Sequence, residues 1–345
     1  MTTWENKPPQ RFLVISTTGI GDTLMSTPAL RALRESFPRS DIHFVVYSTR
    51  RELILGNPHL NRVFIYRNNI FSRILLLFKT LPYRYDHILV FHANDDILNF
   101  LPWFRYGTCL NRQGFEDPRN RIFPLRKLPR HSVKKRMALV EHLSGTSSHD
   151  YRYEFRLSSE PIRWAAGKLQ DWGMGPGDRL VGFQLGTAGA FRRWPPEYFA
   201  EVAKYLRARY EVKILVNASA EEKDLVKNFA KHLGDRDFFF HGGTTIARAG
   251  ALIQACSLFI TPDTGPMHIA IGLGVPLIAL FVPPDPEETG PLDYAKAIVI
   301  KKERPCNPCL VRKCGDNFCV RQISVEEVCQ AADRILTSAK GFPGR

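Results

Sequence analysis

Short apolar runs alternate with stretches of helical periodicity along both halves of the 345-residue chain. The runs have the length of buried strands, and apolar residues recur at helical spacing between them. The predicted strands are residues 11–16, 42–46, 62–65, 87–91, 180–185, 212–216, 258–260 and 275–281, and the clearest helices are 133–143, 196–209 and 221–233. A further helix ends before Pro38 and begins either near Asp22, with a kink at Pro28, or after Thr27. Strand–helix alternation is typical of parallel βαβ units. The pattern therefore predicts an α/β fold built from two successive Rossmann-like domains.

The pattern also suggests where the domains divide. Glycines and a proline cluster at 173–177, so we expect a linker within residues 167–178 and domains of 1–166 and 167–345. The final helix is expected to pack back on the first domain. Residues 105–136 contain ten Lys or Arg against two acids, which predicts a basic, loop-rich segment outside the core.

The net charge limits the kinds of partner that the chain can bind, but it does not identify one. The net charge of +14 requires an anionic partner, and nucleic acid, an anionic membrane or a phosphorylated substrate would fit. Apolar runs such as residues 74–78 are far short of the roughly 20 residues of a membrane-spanning helix. The polar N-terminus has no signal-peptide pattern, so we expect a cytoplasmic location.

The first glycine-rich turn, Gly19-Ile-Gly21-Asp22-Thr23, follows the first strand. Ligands bind at the carboxyl ends of strands in open α/β sheets. Leu24 occupies the place of the third glycine of a dinucleotide fingerprint, which disfavours an NAD-dependent oxidoreductase. Asp22 is either a helix cap or a general base that deprotonates a substrate hydroxyl.

A second motif, Asp263-Thr264-Gly265-Pro266-Met267-His268, links a strand to a short apolar helix. Proline suits the first helical turn, where free backbone N–H groups and the helix dipole can hold a phosphate. The alternative is that the Asp and Thr only cap the helix and that His268 is a buried structural histidine.

The loop after the first strand of the second half carries Gly186, Thr187, Arg192 and Arg193 before Trp194-Pro195. Arginine holds phosphate oxygens in a bidentate manner and stays charged in a partly buried site. The loop therefore predicts stabilisation of an anionic leaving group, with a solvated basic loop as the alternative.

Four cysteines near the end, Cys306, Cys309, Cys314 and Cys319, have the spacing C-x2-C-x4-C-x4-C. Four thiolates this close can hold one Zn²⁺ or iron ion, which would be structural. Reduced or paired thiols are the alternative.

Residues 19–30, GIGDTLMSTPAL, resemble the opening motif of glycosyltransferase family 9, the lipopolysaccharide heptosyltransferases. The segment from Asp263 to His268, followed by Gly-x-Pro and a strand, is similar to that family's strongest signature. The resemblance implies a GT-B fold, with two Rossmann-like domains facing a central cleft, an N-terminal acceptor domain and a C-terminal donor domain.

The resemblance also implies an activity: inverting transfer of a heptose from ADP-heptose to the inner core of lipopolysaccharide, without a catalytic metal. Asp22 would be the base. Gly19, Gly21 and Thr23 would line the acceptor site. The donor would contact residues of two segments: Gly186, Thr187, Arg192, Arg193, Asp263, Thr264, Gly265 and His268. The family usually has Lys where this chain has Arg192, and that change alters the geometry of the donor contact.

Partners and location follow from the same resemblance: an anionic lipopolysaccharide precursor, and a peripheral position on the cytoplasmic face of the inner membrane of a Gram-negative bacterium. Residues 66–85 combine apolar and basic side chains without an acid, which would suit a bilayer or an anionic acceptor. The alternatives are a family member with another nucleotide sugar or acceptor, and a basic RNA- or membrane-binding module.

Overall fold

The computed structural model describes residues 10–111, 122–124, 128–282, 285–303, 306, 314 and 318–338. Contacts divide the chain into two compact units, Met1–Arg156 and Leu157–Arg345. Each unit has its own parallel sheet flanked by helices, so the predicted α/β class with two Rossmann-like parts is confirmed.

The first unit contains a six-stranded parallel sheet with the order β3-β2-β1-β4-β5-β6. Its strands are β1 (Arg11–Ser16), β2 (Asp41–Tyr47), β3 (Arg62–Tyr66), β4 (Tyr85–His92), β5 (Tyr106–Asn111) and β6 (Ile122–Pro124). Its helices are α1 (Ile20–Leu24), α2 (Thr27–Ser36), α3 (Ile70–Thr80), α4 (Asp95–Leu98) and α5 (Ser132–Ser144). This strand order is that of a dinucleotide-type Rossmann sheet.

The central strand shows why these runs become parallel strands. Residues 12–15 of β1 are fully buried, since helices cover both faces of the sheet. Val14 lies between Phe44 of β2 and Leu89 of β4. Pro28 stands at the start of α2, where its missing N–H costs no hydrogen bond, so α1 and α2 are separate helices.

The second unit repeats the same topology, with the sheet order β12-β11-β10-β7-β8-β9. Its strands are β7 (Leu180–Gln184), β8 (Lys213–Asn217), β9 (Phe239–Phe240), β10 (Leu258–Pro262), β11 (Leu277–Phe281) and β12 (Ala297–Lys301). Its helices are α6 (Ser159–Asp171), α7 (Pro196–Tyr210), α8 (Lys223–Leu233), α9 (Ile246–Gln254), α10 (Gly265–Gly272), α11 (Pro286–Thr289) and α12 (Val325–Ser338).

The segment 105–136 corrects the sequence analysis. It was expected to lie outside the core, yet β5 and β6 extend the first sheet, and Cys109 of β5 is fully buried. The apolar residues of β5 are few and flanked by charges, so the average charge of the segment concealed a short buried strand.

The division between the units falls ten residues before the expected boundary at 166/167. Helix α6 fills the first part of the expected linker and packs against α9 in the second unit. The glycines that suggested a linker form the turn from α6 to β7, where Gly173 and Gly177 have φ values of 92° and 90°. Such angles favour glycine because it lacks a Cβ atom.

The final helix, α12, packs against strands and helix α7 of the second unit. Its buried face, which includes Val328 and Ala332, belongs to the core beneath β10 and β11. Tyr205 and Tyr210 of α7 each donate a hydrogen bond of 2.7 Å to Asp333. In the described part of the chain, no helix is long and apolar enough to cross a membrane.

Both sheets reverse their strand order at one point, between β1 and β4 and between β7 and β10. Crevices form at such points beyond the carboxyl ends of the strands, and ligands bind there. The turn with Asp22 follows β1, the loop with Arg192 follows β7, and Asp263 follows β10. The three predicted motifs therefore lie at the two positions where this topology places ligand sites.

Candidate active site

Asp22 lies at the third position of α1, beyond the carboxyl end of β1, and both of its oxygens are engaged. Oδ1 accepts a hydrogen bond of 2.8 Å from the guanidinium of Arg136. Oδ2 accepts from the Thr18 hydroxyl at 2.8 Å and from the Gly19 N–H at 3.2 Å. The contact with Gly19 is a capping contact, so the structural role considered for Asp22 is present. A cap alone does not explain the buried arginine.

Arg136 comes from α5 and is fully buried, while the Asp22 side chain keeps 21% of its surface exposed. Burial by itself would raise the pKa of Asp22, but the hydrogen bond from His92 and the charge of Arg136 outweigh it and lower the pKa well below its usual range. The carboxylate is therefore ionised at neutral pH and accessible from one side.

His92, the last residue of β4, completes this cluster. Its Nδ1 lies 3.2 Å from Asp22 Oδ2 and 2.5 Å from Thr18 Oγ1, and its side chain is 30% exposed. The neighbouring strands β1 and β4 thus each bring a polar residue to the reversal point.

The residues expected to line the acceptor site have different environments. Gly19 and Gly21 are half-buried in the turn. Thr23 is fully buried and its hydroxyl donates to Gly19 O at 3.1 Å, so its side chain is closed off from solvent. A polar pocket of about 300 Å³ opens beside the turn, lined by Thr17, Thr18, Gly19, Tyr47, Arg50, Asn68 and Asn94.

The second unit has the reverse arrangement, a half-exposed cation backed by a buried carboxylate. Arg192 donates to Asp263 Oδ2 at 2.9 Å and to the Asp263 carbonyl at 3.2 Å. The Arg192 side chain is 23% exposed and that of Asp263 only 9%. Asp263 Oδ1 also accepts from the Thr289 hydroxyl at 3.4 Å. Asp263 therefore orients the guanidinium as well as balancing its charge.

Helix α10 begins beside this pair. Thr264 is at its N-cap but its side chain makes no capping hydrogen bond, and the hydroxyl lies 3.2 Å from Thr261 Oγ1. Gly265 is half-buried, whereas His268 is 4% exposed. The capping role considered for Thr264 is not observed, and the N–H groups of the first turn remain suited to an anion.

The loop after β7 is held close to its neighbours. Thr187 is buried and its hydroxyl donates to Gly189 O. Trp194 is 1% exposed and donates to Ile323 O at 3.0 Å, which anchors the end of the loop. Arg193 lies between these anchors and is half-buried.

Gly186 packs against the carboxylate of Glu222 at the start of that loop. A Cβ atom at this position would lie 1.6 Å from Oε1 of Glu222, the residue before α8. Glu222 accepts a hydrogen bond of 2.8 Å from Ser219 N, which fixes its carboxylate against the loop.

The cysteine cluster is only partly described. Cys306 and Cys314 are exposed, Cys319 lies in a short 3₁₀ turn at Phe318–Gln322, and Cys309 is outside the described residues. Among the residues that the structure describes, no group of three or more potential ligands surrounds a metal position.

The sequence alone did not single out four residues of these sites: His92, Arg136, Arg50 and Glu222. His92 directly follows a predicted strand, so its place at the carboxyl edge was available as a signal. Arg136 was counted among the charges of the basic segment, and its burial becomes visible only when α5 packs against α2. No periodicity or spacing marks Arg50 or Glu222.

Two Rossmann-like units, each with a charged group at the point where its strand order reverses, are the architecture of an enzyme of the GT-B class. The family model of glycosyltransferase family 9 (heptosyltransferase) matches residues 119–317. The chain belongs to glycosyltransferase family 9 and is a glycosyltransferase.

Individual relatives extend the similarity over most of the chain. Lipooligosaccharide heptosyltransferase 2 of Campylobacter jejuni is 25% identical over 93% of this chain and 97% of its own. A family 9 glycosyltransferase structure from Veillonella parvula has a TM-score of 0.85 at 24% identity, covering 96% of this chain and 99% of that one. The E. coli ADP-heptose LPS heptosyltransferase II structure has a TM-score of 0.75 at 22% identity, covering 96% and 100%.

Proposed function

We propose that this enzyme transfers a heptose from ADP-heptose to the inner core of a lipopolysaccharide precursor, with inversion at the anomeric carbon. The opposite charges at the two strand-reversal points are the main observation in favour. The first unit, residues 1–156, would bind the acceptor beside Asp22, and the second unit, residues 157–345, would bind the donor beside Arg192.

On the acceptor side, the reaction needs a group that removes a proton from a hydroxyl as it attacks. Asp22 is the carboxylate on which this step depends, because it is ionised and partly exposed at the end of β1. The adjacent pocket carries Arg50, which suits an acceptor rich in carboxylate or phosphate. Gly19 and Gly21 would line this site through their backbone.

On the donor side, a nucleoside diphosphate departs with additional negative charge. Arg192 and the first turn of α10, with Thr264 and Gly265, can stabilise that charge from fixed positions. Arg193, Gly186 and Thr187 would shape the loop around the diphosphate, and His268 would support α10 from within. Since these groups supply the positive charge, we expect transfer to continue after removal of divalent metal with a chelator.

The identity of the sugar and of the acceptor comes from the relatives, which are named as lipopolysaccharide or lipooligosaccharide heptosyltransferases. Nothing in the described side chains distinguishes a heptose by itself. A family 9 enzyme using another nucleotide sugar or acceptor is the alternative, and it would have the same charge arrangement.

A membrane-bound acceptor would require a location at the cytoplasmic face of the inner membrane. Helix α3 supports a peripheral contact because large apolar side chains are exposed along it, Phe71 by 81% and Phe78 by 64%. Arg67 and Lys79 flank a groove on this helix, and basic residues around an apolar face favour anionic lipid. Phe71→Ser/Phe78→Ser should reduce co-sedimentation with phosphatidylglycerol-containing vesicles, whereas neutral vesicles should bind neither protein.

The four cysteines could hold a structural Zn²⁺ or iron ion, as their spacing in the sequence suggests. Elemental analysis of the purified protein tests this. About one metal atom per chain, lost in Cys306→Ser, would support the site, whereas metal far below one atom per chain would contradict it.

Product analysis tests the proposed function. We expect mass spectrometry to show addition of one heptose to a Kdo–lipid A acceptor when ADP-heptose is supplied. Calorimetry should show binding of ADP and ADP-heptose but not of NAD. Transfer only from a different nucleotide sugar would favour the alternative within the family. If the protein binds neither ADP nor ADP-heptose, the donor assignment is contradicted.

A further inference from the structure

A groove in the second unit lies between α8 and β9, and none of the residues assigned to the donor lines it. Its volume of about 590 Å³ is in the range of small-molecule sites, about 300–1,000 Å³. The residues of α8 that line it recur at intervals of three and four, so the groove follows one face of this helix. Between Lys223 and Lys231 that face rises about 12 Å, which makes the groove elongated.

The floor of the groove is apolar and is fixed by the core. Val226 is 8% exposed and belongs to the core of the second unit. Phe238 and Phe240 pack against that core while staying partly exposed to the groove. The ring of Phe238 meets the buried ring of Phe229 edge to face, with centroids 5.3 Å apart. The apolar surface is therefore formed before any ligand binds.

The rim of the groove is basic. Lys223, Lys227 and Lys231 stand at four-residue intervals on α8, and all three are exposed. Arg236 adds a fourth cation from the turn before β9. Lysine keeps its amine in water while its aliphatic stem covers apolar surface. These side chains therefore extend the apolar floor and place positive charge along its edge.

Nearby acids do not cancel this charge. Asp235 is the one acid among the described residues that line the groove, and its carboxylate lies 2.8 Å from the guanidinium of Arg207. Asp224 lies 3.1 Å from the amine of Lys227, but both side chains are mostly exposed, and such pairs contribute little. The rim therefore keeps a net positive charge.

An apolar floor beneath a basic rim complements an anionic amphiphile. A folded protein partner is disfavoured because a stable interface engages about 20–30 residues a side, whereas ten described residues line this groove. Nucleic acid is disfavoured because its affinity comes mainly from phosphate contacts, which make no use of an apolar floor. A hydrocarbon chain with an anionic headgroup matches both features.

We propose that this groove binds one acyl chain of an anionic phospholipid, with the lipid phosphate among the lysines of α8. The lipid comes from the bilayer, and the site is additional to the contact proposed for α3 in the first unit. This inference depends neither on the sugar nor on the acceptor of the proposed reaction.

Calorimetry with palmitoyl-lysophosphatidylglycerol below its micelle-forming concentration tests the site without a membrane surface. Lys227→Glu/Lys231→Glu should weaken binding about 10 to 100-fold, since each lysine near an anionic lipid contributes several-fold to affinity. Ala230→Trp should abolish binding because the indole fills the groove. Lys168→Glu/Lys204→Glu makes the same change of charge on α6 and α7 and should bind as the wild type does. Urea unfolding checks that each variant is folded.

Further ligands and one further variant show which feature of the groove binds. Palmitoyl-lysophosphatidylcholine, which has no net charge, should bind less tightly, and glycerophosphoglycerol, which has no acyl chain, should not bind measurably. Phe71→Ser/Phe78→Ser should keep the wild-type affinity for the anionic lysolipid, because α3 belongs to the first unit.

Four results would overturn the inference. The first is a wild type that does not bind the anionic lysolipid, and the second is equal affinity in Lys227→Glu/Lys231→Glu. The third is equal affinity for glycerophosphoglycerol, which would indicate a simple anion site. The fourth is tighter binding of a single-stranded RNA oligonucleotide that is lost in Lys227→Glu/Lys231→Glu, which would indicate a nucleic-acid site.

Discussion

The two units share one strand order but place opposite charges at the point where it reverses. In the first unit, the partly exposed group is the carboxylate of Asp22 and the fully buried group behind it is Arg136. In the second unit, the partly exposed group is Arg192 and the carboxylate behind it, Asp263, is 9% exposed. The scaffold therefore fixes where a ligand site forms, and the charged pair fixes which chemistry the site can perform.

Each pair also shows how a charged side chain near solvent is held in one orientation. A buried charge without a partner is costly, so the buried member orients the outer one and is itself balanced by it. The outer carboxylate suits a step that removes a proton, and the outer guanidinium suits a leaving diphosphate. Four predictions test this comparison.

The largest effect is expected at the outer carboxylate. Asp22→Asn keeps the shape of the side chain but removes the charge that faces His92 and Arg136. We expect kcat for transfer to fall about 10³-fold with ADP affinity unchanged, because proton removal is lost and the second unit is not altered. Asp171→Asn, an exposed carboxylate of α6, serves as the control. Full activity of Asp22→Asn would show that the Asp22 carboxylate of the first unit takes no part in the reaction.

The outer cation of the second unit should control donor affinity. Arg192→Ala should weaken ADP binding about 10 to 100-fold in calorimetry, since a charge-assisted hydrogen bond is worth roughly 1.5–3 kcal/mol. Arg192→Lys keeps the charge but not the bidentate geometry, so an intermediate affinity is expected. Arg152→Ala, an 82% exposed arginine, controls for net charge. Equal ADP affinity in all four proteins would show that Arg192 does not contact the diphosphate.

Close packing under the donor loop predicts a smaller, structural effect. Gly186→Ala would push aside the Glu222 carboxylate, which is the flexible end of its side chain, and loss of its hydrogen bond with Ser219 N costs about 0.5–1.5 kcal/mol. We expect a correspondingly lower free energy of unfolding in urea, and Gly186→Ala/Glu222→Ala should be as stable as Glu222→Ala alone. A double variant less stable than Glu222→Ala would show that the added methyl group meets another contact.

The smallest expected effect is a pH dependence of stability. The folded state lowers the pKa of Asp22 from its ordinary value of 3.8, so the stabilisation by its ionised form is present above about pH 4 and decreases as the pH falls below it. The free energy of unfolding of the wild type should therefore decrease more steeply below pH 4 than that of Asp22→Asn. Parallel pH curves would contradict the ion pair with Arg136.

Much of the scaffold was predictable because buried parallel strands read as continuous apolar runs. Strands β1, β2, β4, β7 and β10 were found in this way. Strand β5 was missed because its buried residues lie among charges. Helix α6 was not predicted, and one reason is that the glycines at its end suggested a linker. The predicted site segments follow β1, β7 and β10 as expected from their positions after strands.

The partners within each site could not be read from the sequence. Asp22 and Arg136 are 114 positions apart and Arg192 and Asp263 are 71 apart, and their pairing depends on the packing of helices and loops. At position 192, one guanidinium nitrogen, Nη1, donates to both the side chain and the carbonyl of Asp263. These two contacts do not explain why this chain has Arg in place of the usual Lys.

The most direct test of sugar transfer is mass spectrometry of a Kdo–lipid A acceptor incubated with ADP-heptose, comparing wild type, Asp22→Asn and Arg192→Ala. We expect the wild type to add one heptose. At saturating donor, the rate of Asp22→Asn should be about 10³-fold lower, whereas the rate of Arg192→Ala should recover in large part as the donor concentration rises. An unmodified acceptor with the wild type, or loss of donor affinity in Asp22→Asn with normal affinity in Arg192→Ala, would contradict the account.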